Sequence, residues 1–265
     1  MSLGSDTYHL FIRALKKVMR NPILLFFSLL QPIIFLVLFT QLFSKFAAVP
    51  GLFPSGITYL EYATPGILLQ NGFSSALQSG TSIVDELNSG MLEKMLVTPV
   101  NRSAILLGRL LSDAFRVVVQ SAIILILAYI LGFNAASGPG GIILMLGIIA
   151  LFGLAWSGIS LAIGLRTRSA ETVFGIGGFL TFPLLFMSTA LVPVGAMPSW
   201  MASISNVNPI SFAVNAVRGL SLPSGTLSGL GLTFPGDIIS ALAYIAVIAI
   251  ITLGATLYLF RKVVK

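Results

Sequence analysis

The sequence predicts an all-α integral membrane protein, one transmembrane domain over residues 1–265, and three observations carry that prediction. Hydrophobic residues make up 56% of the chain and charged residues 9%, with a mean hydropathy of +1.00. Soluble domains carry roughly 25% charged residues, so this chain cannot cover a water-facing surface. Charge-free stretches long enough to cross a ~30 Å hydrocarbon layer as helix then recur along it. Finally, the basic residues divide unequally between the two sides those stretches define.

Six spans are expected, in order. The first, residues 23–44, is uninterrupted by charge, and the second, 63–84, is charge-free but polar, with Gln70, Asn71, Ser74, Ser75, Gln78 and Thr81. The third is 117–133, the fourth 142–165, the fifth 172–194 and the sixth 238–260. With six spans, 13 of the 15 lysines and arginines share a side, and only Lys45 and Arg218 fall on the other. The positive-inside rule makes the richer side cytoplasmic, together with both termini. The second span is the least apolar, but losing it would place the basic 85–116 segment outside. The first apolar stretch is longer than a signal-peptide core and no small-x-small site follows it, so it is expected to remain as an anchor.

Before the first span, residues 5–20 form an amphipathic helix with Arg13, Lys16, Lys17 and Arg20 on one face. It can lie along the headgroups, as simple anchoring or with a mechanical role. Asn21-Pro22 turns the chain into the span. Residues 196–219 are apolar but broken by Pro198 and Pro209, which predicts a short re-entrant or surface helix pair on the outer side. Trp200 suits an interfacial anchor. In the fourth span Gly153/Ser157, Gly158/Ala162 and Ser160/Gly164 allow close helix packing, more within the chain than between copies.

Several chemistries are excluded. The chain has no cysteine and its one histidine is His9, so thiolate and imidazole sites are absent. None of the six lysines follows a glycine, so no phosphate-binding Gly-Lys-Ser/Thr loop exists. The expected spans hold no ionisable group for proton or sodium coupling. The net charge of +7 reflects cytoplasmic segments rather than a nucleic-acid surface. Energy must come from elsewhere.

The informative stretch is residues 85–102, with Glu86, Leu87, Gly90, Met91, Leu92, Glu93, Lys94, Met95, Leu96, Pro99 and Arg102. Met91, Leu92, Met95 and Leu96 make an apolar helical stripe with nothing of its own chain to cover it but lipid or the amino-terminal helix. Met-rich faces suit an adaptable contact with a partner groove. The acidic-x-x-x-Gly-x-Leu-Glu-x-x-Leu-x-x-Pro-x-x-Arg run resembles the coupling-helix segment of type-2 ATP-binding-cassette (ABC-2) transporter permeases. Phe182-Pro183-Leu184-Leu185-Phe186-Met187-Ser188 resembles that family's fifth span, and the run from Pro193 through Asn208-Pro209 to Arg218 resembles its outer segment. The landmarks match in order over nearly the whole chain, closest to the drug-exporter and nodulation-factor-exporter branch.

The resemblance implies two six-span permease subunits, paired as a homodimer or with a different permease, in a prokaryotic plasma membrane above two ABC ATPase subunits that hold ATP and magnesium. The chain itself would bind no cofactor or metal and catalyse nothing. Residues 87–97 would sit in an ATPase cleft as the coupling helix, with the amino-terminal helix beside it as connecting helix and Glu86, Glu93 and Arg102 among the polar contacts. Spans one, two and five border the family's route, which makes Gln31, Gln70, Asn71, Ser74, Gln78, Pro183 and Ser188 candidates for cargo contact; interhelical hydrogen bonding is the competing account. The apolar surroundings favour a lipophilic drug-like or amphiphilic cargo, with lipid-linked glycan export or a non-transporting scaffold as alternatives.

Overall fold

The computed structural model describes residues 3–47, 53, 56–230, 232 and 236–263, so the Lys265 of the basic tally lies outside the described residues. The described residues form α1 (Leu3–Met19), α2 (Pro22–Ala47), α3 (Tyr59–Asn88), α4 (Met91–Leu96), α5 (Arg102–Ile130) and α6 (Gly138–Thr167). Beyond them come α7 (Ala170–Phe186), α8 (Ser199–Val207), α9 (Pro209–Ser221), α10 (Ser224–Leu227) and α11 (Gly236–Val263). By length and composition α2, α5, α6 and α11 suffice to cross a membrane. The chain is a multi-pass membrane protein. The second and fifth expected spans correspond to α3, which is long but polar, and α7, an apolar helix of 17 residues.

Local chemistry sets the helix ends. Thr58 caps α3 through a reciprocal box, its hydroxyl accepting from the Glu61 N–H at 3.2 Å while its own N–H donates to Glu61 Oε2 at 2.8 Å. Asn101, Ser169 and Asn208 cap α5, α7 and α9 through side-chain oxygens that accept backbone N–H groups. Gly90, at φ 66°, makes the left-handed turn that separates α3 from α4. Helix α5 begins at Arg102 and runs as one rod into the expected third span. One boundary differs from expectation. Helix α7 ends at Phe186, short of the expected 194, where the Ser188 hydroxyl donates to Leu185 O at 2.6 Å and competes with the helix ladder.

Helix α3 lies at the centre, with 21 of its 30 residues buried although it is the least apolar of the long helices after α1. Its glycines permit this. A Cβ on Gly80 would come within 2.5 Å of Ser160 O, and one on Gly164 within 2.6 Å of Gly80 O, so α3 and α6 touch backbone to backbone. Gly153 meets Val117 and Gly158 meets Thr252, so the small residues of α6 serve packing inside the chain. Thr252 and Thr256 of α11 donate to Ala155 O and Gly158 O at 2.9 and 2.7 Å. Phe73, Phe152 and Trp156 form an aromatic cluster in the same core. Apolar side chains of α2, α7 and α11, such as Phe27, Phe179 and Ile250, are exposed and supply lipid-compatible surface.

Candidate functional site

The expected coupling segment is built from four elements. Leu92 anchors α4 at 1% exposure, packed in a cluster with Ile83, Val84, Ile105, Leu106 and Leu165. That corrects the expectation that the helix finds nothing of its own chain to bury against but the amino-terminal helix: one residue of the stripe is core, packed on α3, α5 and α6. Leu87, Met95 and Leu96 are half-buried around it, while Glu93, Lys94, Pro99 and Arg102 are exposed, Met91 is borderline and Val97 is 87% exposed. Helix α4 therefore presents a mixed outer face from a fixed inner pin.

Helix α1 crosses α5 beside it. Gly108 permits the crossing, since a Cβ there would lie 2.8 Å from Leu10 Cβ and 3.1 Å from Thr7 O. Asp6 accepts the Asn101 N–H at 3.1 Å, and the Arg13 guanidinium contacts the Met95 sulfur. Glu86, in the last turn of α3, joins the elements electrostatically: Lys17 of α1 lies 3.1 Å away and Arg109 of α5 pairs with its other oxygen. Burial pushes the Glu86 carboxyl up, but Arg109, Lys17 and Arg13 together outweigh it and hold the group below the usual carboxylate range.

From Glu86 a polar seam continues along the α3–α5 contact. Arg109 donates to Ser79 O at 3.2 Å, and the Ser79 hydroxyl donates to Asp113. Arg116 donates to Asp113 Oδ1 at 3.1 Å, to Ser75 Oγ at 2.9 Å, to Ser75 O at 2.8 Å and to Gln78 Oε1 at 3.3 Å. Farther along, Asn71 donates to Ser121 Oγ at 3.1 Å, and Gln120 donates to Ser28 of α2 at 2.7 Å. Asp113 and Arg116 are buried between helices. Both lie on α5 ahead of residue 117, outside the expected third span, in the part of the helix that the charge pattern assigned to the cytoplasmic segment. A signal was present: Arg109, Asp113, Arg116 and Gln120 recur at helical spacing, opposite a like-spaced stripe of Asn71, Ser75, Gln78, Ser79, Ser82 and Glu86.

A six-residue pinned helix with an exposed face, backed by an amphipathic amino-terminal helix and a bundle of apolar helices, fits a transporter's membrane subunit. Comparison with known proteins decides the family. The family model described as "ABC-2 type transporter" matches residues 5–222. The daunorubicin resistance ABC transporter permease protein DrrB1 of Streptomyces coeruleorubidus is 34% identical over 208 residues, covering 78% of this chain and 72% of that protein. A protein of Mycobacterium tuberculosis strain H37Rv, named "Probable doxorubicin resistance ABC transporter permease protein DrrC", is 26% identical over 216 residues, covering 82% of this chain and 76% of that one. The chain belongs to the ABC-2 type transporter family.

In this ABC-2 permease the candidate cargo residues do not form one cluster. Asn71 and Gln78 are engaged in the α3–α5 seam and Ser74 is half-buried beside it. Gln31 and Pro183 are exposed on the outer faces of α2 and α7, and Ser188 is buried in hydrogen bonds with Leu185 O and the Ala190 N–H. Gln70 lies at a narrow crevice between α2 and α7 with Phe35, Phe39, Phe182, Leu185 and Phe186.

The end of the permease opposite α4 holds a second buried cation that the sequence placed in an outer segment. Arg218 of α9 is 1% exposed. It donates to Tyr62 O at 3.0 Å, Thr189 O at 2.7 Å and Asn215 Oδ1 at 3.1 Å, and stacks 3.8 Å above the Tyr62 ring. Tyr62 and Tyr59 donate from α3 to Thr189 O and Leu191 O at 2.9 and 3.2 Å. Asn208 donates to Leu184 O and Met187 O at 2.7 and 3.0 Å. These groups satisfy the irregular backbone after α7, where the helix ladder has stopped. A cavity of about 640 Å³ lies alongside, walled by Phe53, Asn206, Phe212, Asn215 and Arg218 among others.

Proposed function

We propose that this chain is the permease half of an ATP-driven exporter that moves a lipophilic, drug-like compound outward by alternating access. Two copies form the membrane unit, and an ABC ATPase subunit that holds ATP and magnesium docks beneath each. On this reading α2, α3, α5, α6, α7 and α11 are the six spans, and both termini with α1 and α4 face the cytoplasm. The 30 residues of α3 exceed the roughly 20 that a crossing needs, and its polar side chains find partners inside the bundle rather than in lipid. The drug-resistance names of the two relatives above support the cargo class.

The observation that carries the proposal is α4 itself: Leu92 pins it to the core, and the face bearing Met91, Glu93, Lys94 and Val97 is left for a partner. Leu92 is a poor probe of docking because its loss would also damage the core. Val97→Asp is the sharper one. We expect it to fold normally, to lose co-purification with the ATPase and to lower ATP-driven daunorubicin uptake into inverted vesicles by on the order of tenfold or more, as for removal of an interface hot spot. Unchanged ATPase retention and uptake would refute α4 as the docking element. Uptake that ignores ATP and collapses with an ion gradient would refute the exporter itself.

A further inference from the structure

We propose that the junction of α1 and α2 is a binding site for an anionic phospholipid of the cytoplasmic leaflet, a proposal that rests on the cytoplasmic placement of α1. A groove of about 590 Å³ runs along α1, walled by Ile12 and Met91 and ringed by His9, Arg13, Lys16, Lys17 and Arg20. Lys17 and Arg13 are turned inward, to Glu86 and the Met95 sulfur. Lys16 and Arg20 are exposed, and neither takes part in a salt bridge among the described residues. Two cations beyond those that close the α1–α3 contact thus stand at the groove.

The residues after Arg20 identify the occupant. One residue on, the chain turns into α2, whose first turns expose Ile23, Phe26 and Phe27 at 68%, 63% and 62%. Cationic groove and bare apolar surface are therefore contiguous, in the order in which a phospholipid presents phosphate and then hydrocarbon. The head group meets Lys16 and Arg20 while the acyl chains lie on the opening turns of α2. An acidic protein surface would meet the cations but not the apolar turns next to them, which a bilayer covers, whereas one phospholipid spans both. The groove is also on the helix that holds Glu86 through Lys17, so lipid occupancy bears on the position of α1 against α3.

The test uses the full chain without its ATPase, reconstituted in phosphatidylcholine bilayers with trace spin-labelled phosphatidylglycerol or spin-labelled phosphatidylcholine. The motionally restricted fraction of each label reports association. Phosphatidylglycerol should be preferred, the preference should shrink as salt rises, and it should fall roughly fivefold for each cation removed in Lys16→Gln/Arg20→Gln. The comparison variant Arg261→Gln/Lys262→Gln removes as many cations from the end of α11, away from the groove, and should keep the preference. No preference in the unaltered chain overturns the proposal. Equal losses in both double variants also overturn it, because general attraction to a basic end then suffices. Retained lipid preference in Lys16→Gln/Arg20→Gln overturns it as well, and loss of ATPase co-purification by that variant, measured separately, would then assign the groove to the ATPase. Since the lipid signal is read without nucleotide or partner, failure of the docking assignment for α4 leaves it unaffected.

Discussion

The permease buries two arginines against α3, one midway along it and one near its amino-terminal end, and it satisfies them in different ways. Arg116 sits in the seam with a carboxylate, Asp113, three residues before it on α5 and with Ser75 and Gln78 across from it. Arg218 is held by two backbone carbonyls, an amide oxygen and the face of Tyr62, none of which carries a charge. The first arrangement joins two regular helices, and its Asp113–Arg116 pair lies within one of them. The second gathers carbonyls from α3 and from the irregular stretch after α7, where the regular ladder of helix partners has ended. A charge paired with a charge can trade partners when helices slide, whereas a guanidinium clasping several carbonyls fixes the backbone that supplies them. The seam is thus held by a charge pair on α5 that reaches across to α3, and the α9 end by a cation that gathers backbone carbonyls.

The largest effect should come from breaking the clasp. Arg218→Ala takes the guanidinium donors from Tyr62 O and Thr189 O, leaving Thr189 O with the Tyr62 hydroxyl alone, and opens a void beneath α9, at about 1–3 kcal/mol for the lost hydrogen bonding plus the cavity. A loss of about 4–5 kcal/mol is expected on those principles, read as failure to purify monodisperse or a sharply lowered Tm in detergent. Arg218→Lys restores the charge but not the fork, and should recover only part of the loss. Full recovery by lysine would show that charge, not carbonyl geometry, matters at this end.

These two sites also divide what could be read from the chain. Helix order, the turn at Asn21-Pro22, the break at Asn208-Pro209 and the helical stripe of residues 91–96 are local patterns, and the local rules suffice for them. The charge bookkeeping that gave the orientation treated every arginine as a loop residue, because the rule counts charges without asking what they touch. Arg116 escaped that treatment only in space: its partners Ser75 and Gln78 lie about 40 residues earlier, though the matched stripes on α3 and α5 were visible in the spacing. Arg218 gave no such hint, since its clasp spans 156 residues to Tyr62 and uses backbone oxygens that any residue would present. The coupling segment was legible as a helix with a stripe, but two adjacent apolar residues, Met91 and Leu92, cannot face the same way; only packing decides which is core.

A middle-sized effect sharpens the contrast at the seam. Asp113→Asn keeps the shape and an acceptor for Ser79 but removes the counter-charge of Arg116, so a loss of about 3 kcal/mol is expected for a buried cation left alone. Arg116→Met added to it should restore part of that stability, because the uncompensated charge goes with it. The Arg218 site predicts no such rescue by any carboxylate change. If Asp113→Asn is as well tolerated as a surface substitution, the Arg116 site does not depend on charge pairing and the two sites do not differ in kind.

The smallest effect is expected at Glu86. The Glu86 carboxyl is held below its usual range by Arg109, Lys17 and Arg13 against the upward push of burial. A group whose folded pKa is depressed stabilises the fold at pH values above its unfolded pKa, and that contribution disappears as pH falls through the folded pKa. Acidification to below the ordinary glutamate range, about pH 4, should therefore loosen the α1–α3–α5 junction. Glu86→Gln should flatten this part of the pH profile while costing only about 1 kcal/mol at neutral pH, since Lys17 is more than half exposed and water screens its share. Thermal unfolding of both forms across the acidic range measures the slope, and a slope unchanged by Glu86→Gln would place the acid-sensitive contact elsewhere. Hydrogen exchange at α1 adds the sharper reading: protection lost there first, with α9 still protected, is what a charge-paired end and a carbonyl-clasped end require of the same molecule.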